Sequence, residues 1–270
     1  MSTIGLLHPG EMGAAVGAQL RDVGHEVLWV SDGRSAESAA RADAAGLTDA
    51  GSLGALTSSA EVVLSICPPH AVRDVAAQLA GFSGAYVDAN AVSPDTVRSL
   101  ALLAPGLIDG GIVGPPPLQP GTTRLYLSGA GAGSAAELFA GTVIEARVVS
   151  EQVGAASAVK MAYAAWTKGT TAMLLAIRAL ALAEGVESAL LSEWELSLPQ
   201  LAERSDSAAR AAAAKGWRWS AEMEEIAATF AAAGLPDGFH LAAAEIYARS
   251  PRGTADGEDP LARVLAALLA

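Results

Sequence analysis

A chain of 270 residues, 51% of them hydrophobic and with a mean hydropathy of +0.34, holds enough apolar material for one large core or two smaller ones, which excludes a disordered polymer. The net charge of −12 is spread over both halves, 7 basic against 14 acidic residues up to position 150 and 10 against 15 beyond it, so nucleic acid and anionic membrane surfaces are not expected as partners. The single cysteine, Cys67, excludes an internal disulfide framework and fits a reducing, cytoplasmic compartment.

The first apolar run carries no basic segment before it and breaks after a few residues at His8-Pro9, so no signal peptide is expected. Thr3 to Leu7 reads as a strand, His8-Pro9-Gly10-Glu11-Met12-Gly13 as a turn, Ala14 to Val23 as a helix and Val27 to Val30 as a second strand. This βαβ opening aims helix N-terminal amides at an anion, as a dinucleotide-binding turn does, although His8 stands where the first glycine of the G-x-G-x-x-G pattern is expected. Further strands are expected over Val62 to Ile66, Ala85 to Asp88, Leu107 to Asp109, Arg124 to Leu127 and Val143 to Val149, alternating at first with alanine-rich helices. After Leu107 the spacing shortens, and Pro115-Pro116-Pro117 with Pro120-Gly121 marks a loop, so the sheet is expected to end in an antiparallel extension.

From Glu151 the strand signal disappears, which places the domain boundary between 1–150 and 151–270. Gly154 to Glu184 predicts one long helix stopped by Gly185; Lys160, Lys168 and Arg178 interrupt it too often for a membrane span. Shorter helices are expected from a capping box at Ser192-Glu193-Trp194-Glu195, through the alanine-biased Ser205 to Ala214, after Ser220 as far as Ala233, and from Asp237 to Arg249. Ser250 to Pro260 reads as a polar linker before a last helix.

Candidate cofactor residues follow the strand ends. Pro9, Gly10, Glu11 and Met12 would present backbone to a pyrophosphate, with Gly13 and Gly17 allowing close helix packing. At the second strand end stand Ser31-Asp32-Gly33-Arg34-Ser35, and the guanidinium and hydroxyls of Arg34, Ser31 and Ser35 suit a 2′-phosphate, favouring NADP (NADPH) over NAD; Asp32 remains open as a ribose ligand. Cys67 and Pro68 could line the adenosine side, and Asn90 the nicotinamide side, though Ser93-Pro94-Asp95 is also a plain helix start. On the long helix, Lys160, Tyr163, Thr167, Thr171 and Arg178 fall in one stripe at helical spacing. Such a stripe faces solvent or lines a cleft between domains; in a cleft, desolvation and the positive helix end would favour release of a proton from Lys160 and make it an acid or base. His240 is expected to be packed or at the surface. No metal site is expected.

In order and spacing these motifs resemble the β-hydroxyacid dehydrogenase group, relatives of 6-phosphogluconate dehydrogenase, over most of the first 185 residues. The glycine turn ending Gly-x-Met-Gly is matched by Gly10 to Gly13, Gly-His by Gly24-His25, and Asp-x-Ser-Thr-x-Ser-Pro by Asp88 to Pro94 with Asn90 and Ala91 substituted. The substrate loop Asp-Ala-Pro-Val-Ser-Gly-Gly is similar to Asp109 to Pro115, a Gly-Thr follows at Gly121-Thr122, and the catalytic segment aligns Gly154 and Lys160. The departures are Val113 at the substrate-anchoring serine, Pro115 at a loop glycine and Ala164 at the asparagine after the lysine.

The resemblance implies an α/β fold, a Rossmann-type doubly wound sheet followed by an all-helical domain, with Val113, Gly114 and Lys160 toward the substrate. It implies an NADP-dependent oxidoreductase passing hydride between nicotinamide and a small polar alcohol or carbonyl, with Lys160 and Tyr163 catalytic, and a homodimer built through the helical half, for which Trp217 to Trp219 would suit an interface. Imine reduction on the same architecture and non-catalytic NADP binding are the alternatives.

Overall fold

The computed structural model describes residues 1–251 and 259–270. The chain forms two compact units, Met1–Met161 and Ala162–Ala270. In the first, β1 (Thr3–Leu7), α1 (Glu11–Asp22) and β2 (Glu26–Trp29) make the βαβ opening, followed by α2 (Ala36–Ala44), β3 (Thr48–Asp49), α3 (Leu53–Ser59), β4 (Val62–Ser65), α4 (Val72–Gln78), β5 (Ala85–Asp88), α5 (Pro94–Leu103), β6 (Ile108–Val113), β7 (Arg124–Ser128), α6 (Ala132–Glu137), β8 (Glu145–Ser150) and the start of α7 (Ala155–Ala183). One eight-stranded sheet results, in the order β3-β2-β1-β4-β5-β6-β7-β8. All pairs from β3 to β6 are parallel, and β7 runs against β6, so the antiparallel extension is present; β8 is parallel to β7 because α6 carries the chain back between them.

Alternation along the strands divides the core between the two sheet faces. Ile4, Leu6, Val27, Trp29, Leu64 and Val87 share one cluster with Val16 and Leu20 of α1 and Phe139 after α6. Leu7, Leu28, Val30, Val63 and Tyr86 share the other with Leu56 of α3, Val75 of α4 and Leu100 of α5. A strand buried on both faces needs no polar alternation, which is why β6 is buried at every residue.

The order of the strands reverses between β1 and β4, and across that edge runs a row of buried polar residues in register: Ser65 opposite Asp88, Asp88 opposite Asp109, Asp109 opposite Ser128. Asp109 anchors the long helix. Its Oδ2 accepts from the backbone N–H of Gly154 (2.9 Å) and Ser157 (3.1 Å) and from Ser128 Oγ (2.8 Å), and its Oδ1 accepts from Ser157 Oγ at 2.6 Å. Ser128 Oγ in turn accepts from the N–H of Ala156 at 3.0 Å. A carboxylate at a helix N-terminus meets both the orphan amides and the positive end of the helix dipole. These bonds tie the first turns of α7 to the sheet, so the two units divide within the helix, at Met161, where the sequence suggested a boundary at residue 150.

The second unit contains the rest of α7 with α8 (Glu187–Ser197), α9 (Leu201–Lys215), α10 (Trp219–Ala232), α11 (Gly238–Arg249) and α12 (Pro260–Leu269). Helix α8 begins at Glu187, not at the capping box expected from Ser192, which lies in mid-helix. The reason is Arg178: buried at 4% exposure, its guanidinium binds Glu187 Oε1 (2.8 Å from Nη2), Ser205 Oγ (2.6 Å) and Asp206 (3.3 Å), pinning the start of α8. Arg178 therefore leaves the open polar stripe expected for α7. The linker expected over Ser250 to Pro260 lies mostly outside the described residues. Among the described residues, no helix is long and apolar enough to cross a membrane.

Asp109→Ala would leave several buried donors without an acceptor and is expected to destabilise the protein by roughly 3 kcal/mol, read by urea unfolding. A Cβ at Gly111 would stand 2.9 Å from both the Ala156 carbonyl oxygen and Lys160 Cβ, so Gly111→Ala is expected to cost roughly 1–3 kcal/mol in the same measurement.

Candidate active site

The loops after β1, β2, β4 and β5 leave the carboxyl edge of the sheet around the point where the strand order reverses, which is where open α/β sheets take their ligands. After β1, His8 adopts φ 71°, the left-handed conformation normally left to glycine, so the turn keeps its shape although the glycine is gone. Its carbonyl accepts from the Gly10 N–H at 2.8 Å, and a Cβ at Gly13 would lie 2.5 Å from that same oxygen, so Gly13 is what lets α1 start this close. A Cβ at Gly10 would meet nothing within 4 Å, and no side chain caps α1. By contrast Ser35, Ser52 and Ser93 cap α2, α3 and α5. The uncapped first turn, with Pro9, Gly10, Glu11 and Met12, fits a diphosphate.

After β2, the Ser31 N–H donates to Asp49 Oδ1 (3.2 Å), and the Arg34 N–H closes the turn on the Ser31 carbonyl (3.0 Å). Asp32 and Arg34 are exposed. The Arg34 charge reaches the turn after β1: burial first, and Arg34 second, lower the His8 imidazole to about 4. Sequence reasoning missed Arg41, whose Nε donates to the Pro9 carbonyl at 3.2 Å. The only local signal for it was an arginine on the helix that Ser35 starts, seven residues after Arg34.

After β4 and β5 the candidates prove to be tied together. Asn90 receives the Cys67 N–H on Oδ1 (2.5 Å) and gives its Nδ2 hydrogens to Asp88 Oδ2 (2.8 Å) and Ser65 Oγ (3.2 Å). Its side chain is thus spent in joining the two loops. Tyr86 Oη also donates to Asp88 Oδ2, at 2.8 Å. Burial pushes the Asp88 carboxyl up to about 6, with these hydrogen bonds opposing and Asp109 adding to the rise. Burial likewise pushes the Cys67 thiol up to about 12, so it stays protonated and inert, while Pro68 is exposed beside it.

Lys160, half-buried, lies on α7 where the missing Cβ of Gly111 brings the helix against β6. Val113, which ends β6, is 3% exposed, whereas Gly114 is exposed at φ 124°, where a Cβ would lie 2.2 Å from the Thr122 carbonyl oxygen. In the helical unit, Tyr163 is 48% exposed and Ala164 is buried. His240 is packed between Phe230 and Phe239, at ring centroid distances of 4.2 and 5.2 Å, and Trp219 packs edge-on to Tyr247 at 5.1 Å.

A solved protein of unknown function, MTH1747, described as structurally similar to 3-hydroxyacid dehydrogenases, aligns with 91% of this chain and 96% of its own at 25% identity and a TM-score of 0.68. A 3-hydroxyisobutyrate dehydrogenase of Mycobacterium tuberculosis, solved with L-serine, aligns over the whole of both chains at 20% identity and a TM-score of 0.71. The fold is that of the 3-hydroxyacid dehydrogenases. A reductive aminase of Aspergillus terreus, solved with NADPH and ethyl levulinate, shares the hydroxyacid dehydrogenase fold over 92% of this chain and 93% of its own, at 20% identity and a TM-score of 0.59. Residues 181–250 match a domain of unknown function, DUF1932. No curated protein is significantly similar in sequence.

The His8 imidazole, ordinarily near 6.5 and held near 4 here, takes up its proton more readily unfolded than folded. Its contribution to stability is therefore present above 6.5 and lost as the pH falls through that value toward 4. His8→Gly, which takes the left-handed turn without a strain of about 1 kcal/mol, is expected to be at least as stable as the parent at pH 7, with its advantage in thermal unfolding widening as the pH falls.

Proposed function

We propose that this protein is an NADP-dependent oxidoreductase that interconverts a small polar alcohol and its carbonyl. The observation that carries the reading is the uncapped start of α1 behind an open glycine at the strand-order reversal, a cradle built for a dinucleotide diphosphate. Proteins of this fold have been solved with either nicotinamide cofactor, NADPH in the reductive aminase and NAD+ in the V8 variant of an imine reductase of Myxococcus stipitatus. The choice of NADP rests on Arg34, Ser31 and Ser35, with no carboxylate at the strand-end position itself.

When bound, the nicotinamide gives or receives the hydride. Glu11 and Met12 would hold the diphosphate through their backbone amides, with Pro9 and Gly10 shaping the turn that leads to them, while Asn90 keeps the Cys67-Pro68 loop in place beside it. Lys160 exchanges the proton at the substrate oxygen, receiving it as the alcohol is oxidised and returning it as the carbonyl is reduced, with Tyr163 assisting. Val113 and Ala164 offer no group for a substrate carboxylate or hydroxyl, which supports a substrate other than a small β-hydroxyacid and gives imine reduction a place as the second reading. The exposed Trp166, Met173 and Leu180 of α7 support a homodimer formed through the helical unit.

Titration by nicotinamide fluorescence is expected to show NADPH bound at least about tenfold more tightly than NADH, a preference that Arg34→Ala removes. Equal affinities, unchanged by that substitution, would refute the choice of NADP. Lys160→Ala is expected to lower kcat for carbonyl reduction by about 10²–10⁴ with NADPH affinity kept; unchanged turnover on a cyclic imine would select the second reading.

A further inference from the structure

We infer that Arg41 is a second cation for the cofactor 2′-phosphate and sets NADP selectivity together with Arg34. This rests on the NADP reading above and adds a residue to it that the strand-end pattern does not contain. Arg41 lies on α2, and its guanidinium spans two segments. Nε donates to the Pro9 carbonyl in the turn after β1, at 3.2 Å, and Nη2 donates to Ser38 Oγ at 3.4 Å. Ser38 Oγ is itself 3.2 Å from Ser35 Oγ, the hydroxyl that caps α2. One planar, permanently charged group thus joins the turn assigned to the diphosphate to the hydroxyls assigned to the 2′-phosphate, where the positive end of α2 adds to the field.

Two further features suit Arg41 to an exchange of anions. Its side chain is 29% exposed, so its charge is less screened than that of a fully solvated arginine, whereas its partner Glu37 is 81% exposed at 2.5 Å. Such a pair, one helical turn apart and mostly in solvent, is weak, and a phosphate bearing close to two charges competes with a single carboxylate for the same fork of donors. Glu37 then opposes phosphate binding in two ways, by occupying Nη1 and by repulsion. The competing account is mechanical, with Arg41 only bracing the Pro9 turn; that role would act on every adenine nucleotide alike.

The test compares 2′,5′-ADP with 5′-AMP by calorimetry, and NADPH with NADH by fluorescence, on the full-length protein. Arg41→Ala is expected to weaken 2′,5′-ADP and NADPH at least about tenfold, with 5′-AMP and NADH changed less than about twofold. Arg41→Gln, which keeps a donor for Pro9 without the charge, is expected to behave in the same way. Glu37→Gln, which leaves Arg41 in place, is expected to tighten 2′,5′-ADP by about two- to fivefold. Equal losses for both nucleotide classes would establish the bracing role and overturn the inference. So would unchanged affinities while Arg34→Ala still abolishes the preference, an outcome that leaves the NADP reading intact. A parent protein that does not distinguish 2′,5′-ADP from 5′-AMP would overturn both.

Discussion

The contact on which the arrangement depends is the Asp109 carboxylate at the start of α7. An ion buried at 0% exposure is tolerated because two backbone amides, two serine hydroxyls and the positive end of a long helix surround it. The fixed point comes from a strand in the middle of the sheet, so the helix inherits the sheet's rigidity. Two glycines next to Asp109 complete the fit: a Cβ at Gly110 would stand 3.1 Å from the Asp88 carbonyl oxygen, and one at Gly111 would strike α7 itself. Lys160 takes its place as a result of this packing, in the second turn of a helix whose first turn is nailed down.

The helix starts along the ligand edge differ in how their amides are met. Serine side chains close α2, α3 and α5, and Asp109 closes α7, so their amides are satisfied within the protein. At α1 the same position holds Gly10, which has no side chain to offer, and the turn before it forces a histidine into a left-handed conformation. Other helices, α4 and α6 among them, also start without a side-chain cap, so what sets α1 apart is its place at the reversal of strand order behind an unhindered glycine, where open α/β sheets take an anion.

Much of this was legible from residue order. Thr3–Leu7 and Ala85–Asp88 are the expected strands to the residue, and the remaining expected strands and the long helix differ by a few residues at their ends, because β-branched runs and an uninterrupted helical stretch are strong local signals. Strand β3, Thr48–Asp49, went unseen because two residues carry no period. The Ser192 start failed because a capping box is local, whereas α8 is fixed by Glu187 meeting Arg178. The site shows the same limit. Glycine turn, strand-end serines and Lys160 announce themselves by spacing, but Asp109 is 45 and 48 residues from the amides it caps, and Asn90 is 23 from the amide it receives. Nothing in a single sequence without its fold distinguishes a carboxylate that will cap a distant helix from one that will meet solvent.

The row Ser65, Asp88, Asp109, Ser128 shows how two neighbouring carboxylates are buried along one sheet edge. Both cannot carry full charge there unaided, since each raises the electrostatic cost of the other. The chain gives the helix amides to Asp109 and gives Asp88 the donors of Tyr86 and Asn90; burial pushes the Asp88 carboxyl up to about 6, with those hydrogen bonds opposing the rise and Asp109 adding to it. That unequal sharing has a structural consequence. Because Asp88 accepts from Asn90 Nδ2, the amide is oriented with Oδ1 toward the Cys67 N–H, and the loops after β4 and β5 are locked together at the ligand edge. A neutral side chain at position 88 with the opposite donor pattern would allow the amide to turn over and would release that lock. The buried row therefore does two jobs: one carboxylate holds the helix that carries Lys160, and the other sets the loops that follow β4 and β5 at the carboxyl edge of the sheet.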